Sequence, residues 1–310
     1  MFRSAFSGLS AAALSASLTS TLALASFASL VTFALPAQAA TPNALPSLES
    51  FSKAGECVAL RKQYPTLVGK TLQVGLGGYT VGFEAPAKDD PSKIEGLDPD
   101  LIAYMGACLG FKHEFQNVAF NVLVSGIAGG RFDMGPNLYV TDVRRKQVAF
   151  VSSFSVIDGS VIKKGNPKHL TSLDSLCGAT VAAAAGTYEA VSLVPPLVEK
   201  CKAAGKPEVN LLLLQATDAS VQAVQSGRAD IYLTAESDAK ALASSVPDLQ
   251  SGFTIDLPIL NGFPTAKDNK VMRGAVLASM KVIQSHGIEK TLLDKWGQDA
   301  KSERPAADAE

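Results

Sequence analysis

Arg144, Arg145 and Lys146 form a basic cluster directly after Thr141, Asp142 and Val143. A guanidinium is planar and can hold a carboxylate through two parallel hydrogen bonds, so Arg144 could grip an anion. The same cluster could equally be a solvated basic face. Gly186-Thr187 stands between an Ala-rich strand, Val181–Ala185, and a helical stretch. The amides of Thr187, Tyr188 and Glu189 would open that helix and offer donors to an anion. The Thr187 hydroxyl could also be an ordinary N-cap. Groups for catalysis are sparse. Glu84 and Glu236 are the carboxylates available for acid–base work, and neither has an evident partner. His113, His169 and His286 are scattered and read as surface or packing residues. There is no G-x-S-x-G, no H-E-x-x-H and no Gly-rich phosphate loop. No catalytic residue, metal site or cofactor is expected.

These residues need elements to hold them. Short apolar runs alternate with amphipathic segments, which is the pattern of an α/β architecture. Residues 71–76 read as a buried strand ending in a Gly-rich turn, 77–82. Gly75-x-Gly77 resembles a dinucleotide fingerprint, but Pro86, Asp89, Asp90 and Pro91 follow where a helix would be required. Asp98-Pro99-Asp100 opens a helix, with Asp98 as N-cap and Gly110 as its stop. A second helix runs over 121–128 and closes at Gly129-Gly130. Gly130-Arg131-Phe132-Asp133-Met134 is echoed by Gly227-Arg228-Ala229-Asp230-Ile231, each after an amphipathic helix and before a strand. The echo predicts two similar α/β lobes. Ligands of open α/β sheets bind beyond the carboxyl ends of strands, which puts 136–141 and 234–238 on facing walls of a cleft.

Arg3 is the only charged residue before Glu49, and an apolar run from Leu9 to Leu35 ends at Pro36 and Ala37-Gln38-Ala39. This is the order of a secretory signal peptide, residues 1–39, against the alternative of a membrane anchor. Residues 40–50 read as a flexible lead-in, and 301–310 as a disordered tail. The chain carries 28 basic and 29 acidic residues. A near-neutral chain without a basic stripe argues against a nucleic-acid partner. Cys57, Cys108, Cys177 and Cys201 have none of the spacings of a zinc or thioredoxin-like site. Export would permit disulfides, and four cysteines allow three connectivities.

Three stretches carry a family resemblance: Gly96-Leu97-Asp98-Pro99-Asp100-Leu101, Phe120 through Gly130-Arg131-Phe132-Asp133, and Thr141-Asp142-Val143-Arg144 through Val148-Ala149-Phe150. With Gly178-Ala179-Thr180-Val181, Gly186-Thr187 and Leu292-Leu293-Asp294-Lys295-Trp296-Gly297, their order resembles the periplasmic amino-acid-binding proteins, solute-binding protein family 3. The resemblance implies a type II periplasmic-binding-protein-like fold. Two Rossmann-like lobes are joined by a two-segment hinge: lobe 1 at 66–157 and 263–300, lobe 2 at 158–262. The crossings fall near Ile157-Asp158 and at 258–267. Disulfides Cys57–Cys108 and Cys177–Cys201 would each stay within a lobe, whereas a bridge across lobes would hamper closure.

The resemblance also implies roles. Arg144 matches the arginine that pairs with the ligand carboxylate, and Thr187 and Tyr188 the turn that touches it. Phe120 matches an aromatic wall, and Tyr79 and Thr80 a ligand-facing loop. Asn137 falls where a small turn residue usually donates its backbone near the carboxylate, Tyr139 falls where Thr or Ser is usual, and the customary ammonium-binding aspartate falls on Ala235. Glu236 or Asp238 would have to replace it, or the ligand lacks an α-ammonium. The implied function is that of a periplasmic substrate-binding protein, monomeric by family default. It would capture a small polar carboxylate, an amino acid above all, for an ABC permease in the inner membrane. A cyclohexadienyl-dehydratase-like enzyme and a ligand-sensing partner of a membrane receptor are the alternatives.

Overall fold

The computed structural model describes residues 44–136 and 138–309. The expected leader and Asn137 lie outside the described residues. Two helices, α1 (Leu48–Ser52) and α2 (Gly55–Gln63), precede strand β1 (Thr71–Leu76). A short hairpin, β2 (Ala85–Pro86) and β3 (Ile94–Glu95), leads to α3 (Leu97–Leu109), β4 (Lys112–Asn117), α4 (Phe120–Ala128), β5 (Leu138–Tyr139) and α5 (Asp142–Arg145). The long β6 (Val148–Lys163) enters the second half. There β7 (Thr180–Ala184) is followed by a π-helical turn (Glu189–Leu193), α6 (Val194–Ala203), β8 (Asn210–Leu214), α7 (Thr217–Ser226), β9 (Ile231–Ala235), α8 (Glu236–Ser245) and β10 (Leu249–Ser251). A second long strand, β11 (Ile255–Ala266), returns to α9 (Lys270–Ser285), α10 (Ile288–Lys295) and β12 (Glu303–Asp308).

Strands β6 and β11 tie two sheets together. In the first lobe β1 pairs in parallel with β4. Met134 bridges Val74 of β1 to Thr265 of β11, and β11 pairs antiparallel with β6 from Val148 to Val156. In the second lobe β7 is parallel to β8 and β9, and β9 is antiparallel to the far end of β6, from Asp158 to Ile162. The β6–β11 register breaks between Ile255 and Ile259, opposite Asp158 and Val156. Two backbone crossings with a local loss of pairing are what a hinge needs.

The pleat sorts each strand onto two faces. Val181, Ile231 and Leu233 face one apolar cluster with Leu193 and Val194, while Ala182 and Tyr232 face another with Val224 and Ala239. In the first lobe Leu72, Val74, Met105, Val276, Met280 and Leu292 make the main core, and Leu123, Ile127, Phe132 and Phe150 fill the opposite face. The internal echo is structural. Asp133 accepts the Gln73 N–H at 2.8 Å and Asp230 accepts the Thr180 N–H at 2.9 Å, each locking its turn to the first strand of its own lobe. Both copies turn at a left-handed glycine, Gly130 (φ 73°) and Gly227 (φ 77°), where a Cβ would be strained.

Both disulfides form within a lobe, Cys57–Cys108 and Cys177–Cys201. Three expectations are corrected. Gly96, not Asp98, caps α3, because backbone bonds from Leu97 to Gly82 and from Asp98 to Phe83 draw the helix start backward and bury Asp98. The lead-in is ordered from Ala44. Tyr104 donates its hydroxyl to the Pro46 carbonyl, and Arg61 donates to the carbonyls of Ser52, Ala107 and Cys108. The tail is also ordered. β12 pairs antiparallel with β6, and the Gln284 amide clamps it by donating to the Arg304 carbonyl and accepting the Ala306 N–H. A short polar segment can pair through its backbone without any apolar period, so its composition does not announce a strand.

Candidate functional site

The cleft lies where parallel strands end. Residues at or just past the carboxyl ends of β1 (Gly77, Thr80, Phe83, Glu84), β4 (Phe120), β7 (Ala184, Thr187, Tyr188, Glu189), β8 (Gln215 to Thr217) and β9 (Thr234, Ala235) line one cavity with Pro136, Leu138, Tyr139, Arg144, Tyr232 and Asn261. Its volume is about 110 Å³. One water needs roughly 10–15 Å³ on this measure, so the space suits a small molecule and not a polymer.

Arg144 is held on the short helix α5, whose N-cap Thr141 accepts the Arg144 N–H at 3.2 Å. Arg144 is 4% exposed. It donates through Nη1 to the Tyr139 carbonyl at 2.8 Å and through Nη2 to the Gly186 carbonyl at 3.2 Å. Its Cζ stands 5.3 Å from the centre of the Phe120 ring. Tyr139 is in the first lobe and Gly186 in the second, so Arg144 bridges the lobes directly. At Gly186 (φ +89°) a Cβ would lie 2.9 Å from the Asn121 backbone, which leaves no room for a side chain between the lobes.

The cavity is markedly acidic. Glu84 and Glu189 line it, while Asp158 and Asp238 are buried just behind Tyr139 and Thr234. Arg144 is the only Lys, Arg or His among the described lining residues. Burial and the charges of Asp98 and Asp238 push the Glu84 carboxyl well above its usual range, and Glu84 shares a hydrogen bond with Asp98. Burial also raises Glu189, while a bond to its own N–H, the Thr187 hydroxyl and the Arg144 charge pull it back. Asp158 is pushed up to about 8 by burial and by Glu189, although the Tyr139 hydroxyl donates to its Oδ1 at 2.8 Å. Asp238 is pushed up to about 6 by burial, with the Thr234 hydroxyl donating to it at 2.8 Å.

A group whose folded pKa is raised binds its proton more tightly when folded. Its contribution to stability is full below the unfolded value and is lost as pH rises through the folded one. The ligand-free protein should therefore lose melting temperature between about pH 5 and about pH 8.5, through the Asp238 and Asp158 range. Glu289, buried beside Gln284 and pushed up to about 8, adds to the same fall. His113, lowered by burial, acts with opposite sign on the acid side. Asp158→Asn and Glu289→Gln should each flatten the melting profile. A wild-type melting temperature that rises across that window contradicts the assignment.

Thr80, Phe120, Tyr139, Arg144, Thr187 and Tyr188 are brought together in the lining. The Thr187 hydroxyl donates to the Ala184 carbonyl and accepts the Ala190 N–H, so it acts as a cap. Two expected residues are elsewhere. Tyr79 is 40% exposed and outside the lining, because Gly78 turns the loop so that Thr80 faces inward instead. Glu236 points to the other side of the hinge strands, accepting from Thr254 and pairing with Lys240 at 2.8 Å. Two residues further along α8, about half a turn, Asp238 occupies the side that Glu236 does not. Gln215, Tyr232 and Asn261 and the side chain of Glu189 were not anticipated. They follow strands or hinge segments that the sequence does reveal, but no local motif marks their inward direction.

The family model for bacterial extracellular solute-binding proteins, family 3, matches residues 72–299. Among curated relatives, a probable amino-acid-binding protein, YxeM, of Bacillus subtilis is 24% identical over 73% of this chain and 83% of its own length. A probable amino-acid ABC transporter periplasmic-binding protein, y4tE, of Sinorhizobium fredii is 25% identical over 56% of this chain and 57% of its own. An ancestral arginine-binding protein solved with arginine covers 73% of this chain and 97% of its own, at 25% identity and a TM-score of 0.65. An ancestral arginine-binding protein solved with glutamine gives 24% identity, the same coverage and a TM-score of 0.64. With two lobes on crossing strands, a cleft at the strand ends and a model match across most of the chain, this protein belongs to the bacterial extracellular solute-binding proteins, family 3.

Proposed function

We propose that this protein is the periplasmic capture component of an amino-acid ABC importer. It would take up an amino acid in the interlobe cleft, close over it, and present it to an inner-membrane permease. The observation that carries this reading is Arg144. It is a buried guanidinium on the wall of a small cavity, backed by an aromatic ring and bonded to backbone from both lobes. Such a fork is suited to a ligand carboxylate. A ligand that touches both lobes stabilises the closed state by its differential affinity, and no chemical step is required. The leader at 1–39 and the two disulfides fit export to an oxidising compartment.

A thermal-shift screen of the leader-free protein against amino acids and small carboxylates tests this. A ligand at a hundred times its Kd stabilises the native state by about 2.7 kcal/mol, so a rise on the order of 5 °C is expected. No shift with any amino acid at millimolar concentration would reject the reading. The elimination-enzyme alternative keeps one supporting feature, since burial raises the Glu84 carboxyl at the cavity wall, the direction a general acid needs. Turnover of prephenate or arogenate would establish it.

A further inference from the structure

Strand β12 lies beyond the family match, which ends at residue 299, and it is placed against the hinge. Val151 and Ser152 of β6 each pair with both β11 and β12, so those two strands take opposite edges of β6. Asp158 pairs with both β11 and β9, so β9 shares the edge of β12. On that edge β12 covers β6 up to Phe154, where Glu303 stands opposite, and β9 covers it from Asp158 onward. Only Ser155, Val156 and Ile157 lie between them. The other edge breaks register at the same point, between Val156 and Asp158. Without β12, the uncovered edge of β6 would run from 148 to 157.

The segment is fixed to the body of the first lobe as well as to the strand. Ala306 is buried in the main core of that lobe. The Gln284 amide on α9 donates to the Arg304 carbonyl at 2.7 Å and accepts the Ala306 N–H at 2.8 Å, and it is itself held by donating to Glu289 of α10 at 2.6 Å. Asp308 pairs with Arg273 of α9 at 3.4 Å. On the side of the hinge away from the cleft, a cavity of about 430 Å³ separates Asp299 and Ser302, at the root of this segment, from Glu236, Ser237 and Lys240 of the second lobe. That space leaves the second lobe room to swing.

We propose that residues 303–309 are a hinge strap, which stiffens the first-lobe half of β6 and confines the bending of the hinge to Ser155–Ile157. Gln284 is the positioning residue that holds the strap in register. The consequence for binding is entropic. A strand bonded along one edge keeps more backbone freedom than one bonded along both, and closing over a ligand must remove that freedom. Fixing the backbone of one further residue is worth about tenfold in Kd. A segment that touches no ligand therefore helps to set the affinity of the cleft. The inference rests on the capture reading only where a ligand is used.

The test compares three leader-free proteins: wild type, a chain ending at Ser302, and Gln284→Met, which keeps a side chain of similar length and loses both bonds to the strap. Circular dichroism checks that each is folded, and if the shortened chain is not, Gln284→Met decides. Hydrogen exchange over 150–154 should be at least about tenfold faster in the variants, with 180–184 in the second lobe unchanged. Small-angle scattering of the ligand-free variants should show a larger radius of gyration than wild type. Titration with L-arginine and L-glutamine, the ligands of the two ancestral relatives, should give a Kd about tenfold weaker in the variants for whichever binds. Faster exchange with unchanged scattering and a Kd within about twofold of wild type would overturn the inference, because the segment would then only cover an edge. Unchanged exchange over 150–154 would overturn it as well. If neither amino acid binds wild type, the ligand-free scattering alone decides the strap, so its failure and that of the capture reading remain separate.

Discussion

Arg144→Ala is expected to raise the Kd for the amino-acid ligand by roughly two to three orders of magnitude. The guanidinium is buried and spends two of its donors on the Tyr139 and Gly186 carbonyls, which fixes its plane before any ligand arrives. A preorganised fork loses little freedom on forming a bidentate pair. Truncation then has three costs. The ligand carboxylate loses its charge-assisted bonds, Glu189 loses the nearby cation that offsets its burial, and the closed state loses a lobe-to-lobe hydrogen bond. Removing one partner of a buried, hydrogen-bonded charge pair costs about 2–5 kcal/mol, and each 1.4 kcal/mol is about tenfold in affinity. Arg144→Lys keeps the charge but loses the planar fork, so it should fall between wild type and Ala. Titration calorimetry of the three proteins against one ligand decides it. A Kd for the Ala variant within about threefold of wild type would mean that Arg144 serves the hinge and not the ligand.

The largest expected effect on stability comes from the first disulfide. Cys57–Cys108 closes 51 residues and Cys177–Cys201 closes 24. In the chain-entropy account the first is worth about 4 kcal/mol and the second about 3.5. The first also tethers α2 to α3 at the point where Arg61 caps the last turn of α3. Losing the link should therefore free the N-terminal helices as well as relax the unfolded chain. Cys57→Ser with Cys108→Ser should lower the melting temperature by on the order of 10 °C, and by more than the Cys177→Ser with Cys201→Ser pair. Hydrogen exchange should show early opening over 48–63 in the first double variant and not in the second. Equal melting losses and unchanged exchange in that segment would reduce the N-terminal helices to passengers.

The alternation of short apolar strands with amphipathic helices was sufficient for the α/β class, because the periods of 2 and 3.6 are properties of local backbone geometry. The repeated Gly-Arg-x-Asp was legible for the same reason. Each copy is a helix stop at a left-handed glycine followed by an aspartate that pins the next turn to the lobe's first strand. Arg144 could be singled out by type and by the residues around it, and the cysteines could be paired once two lobes were assumed.

The acidic character of the cleft could not be read along the chain. Glu84, Asp158, Glu189 and Asp238 are 154 positions from first to last and share no motif. Burial and mutual repulsion, which shift their protonation, exist only when three strand ends and the middle of β6 meet. The directions of Tyr79 and Glu236 were likewise decided by packing: each is near an inward-facing neighbour in sequence and still faces away. The tail acquired a strand because β6 had an open edge and Gln284 stood ready to clamp it. Sequence alone thus determined the class of fold, the repeat and the arginine, since those depend on residue type and short spacing. Tertiary structure alone decided which carboxyls gather at the cavity and that burial raises their pKa, since desolvation and charge–charge distance are properties of the assembled lobes.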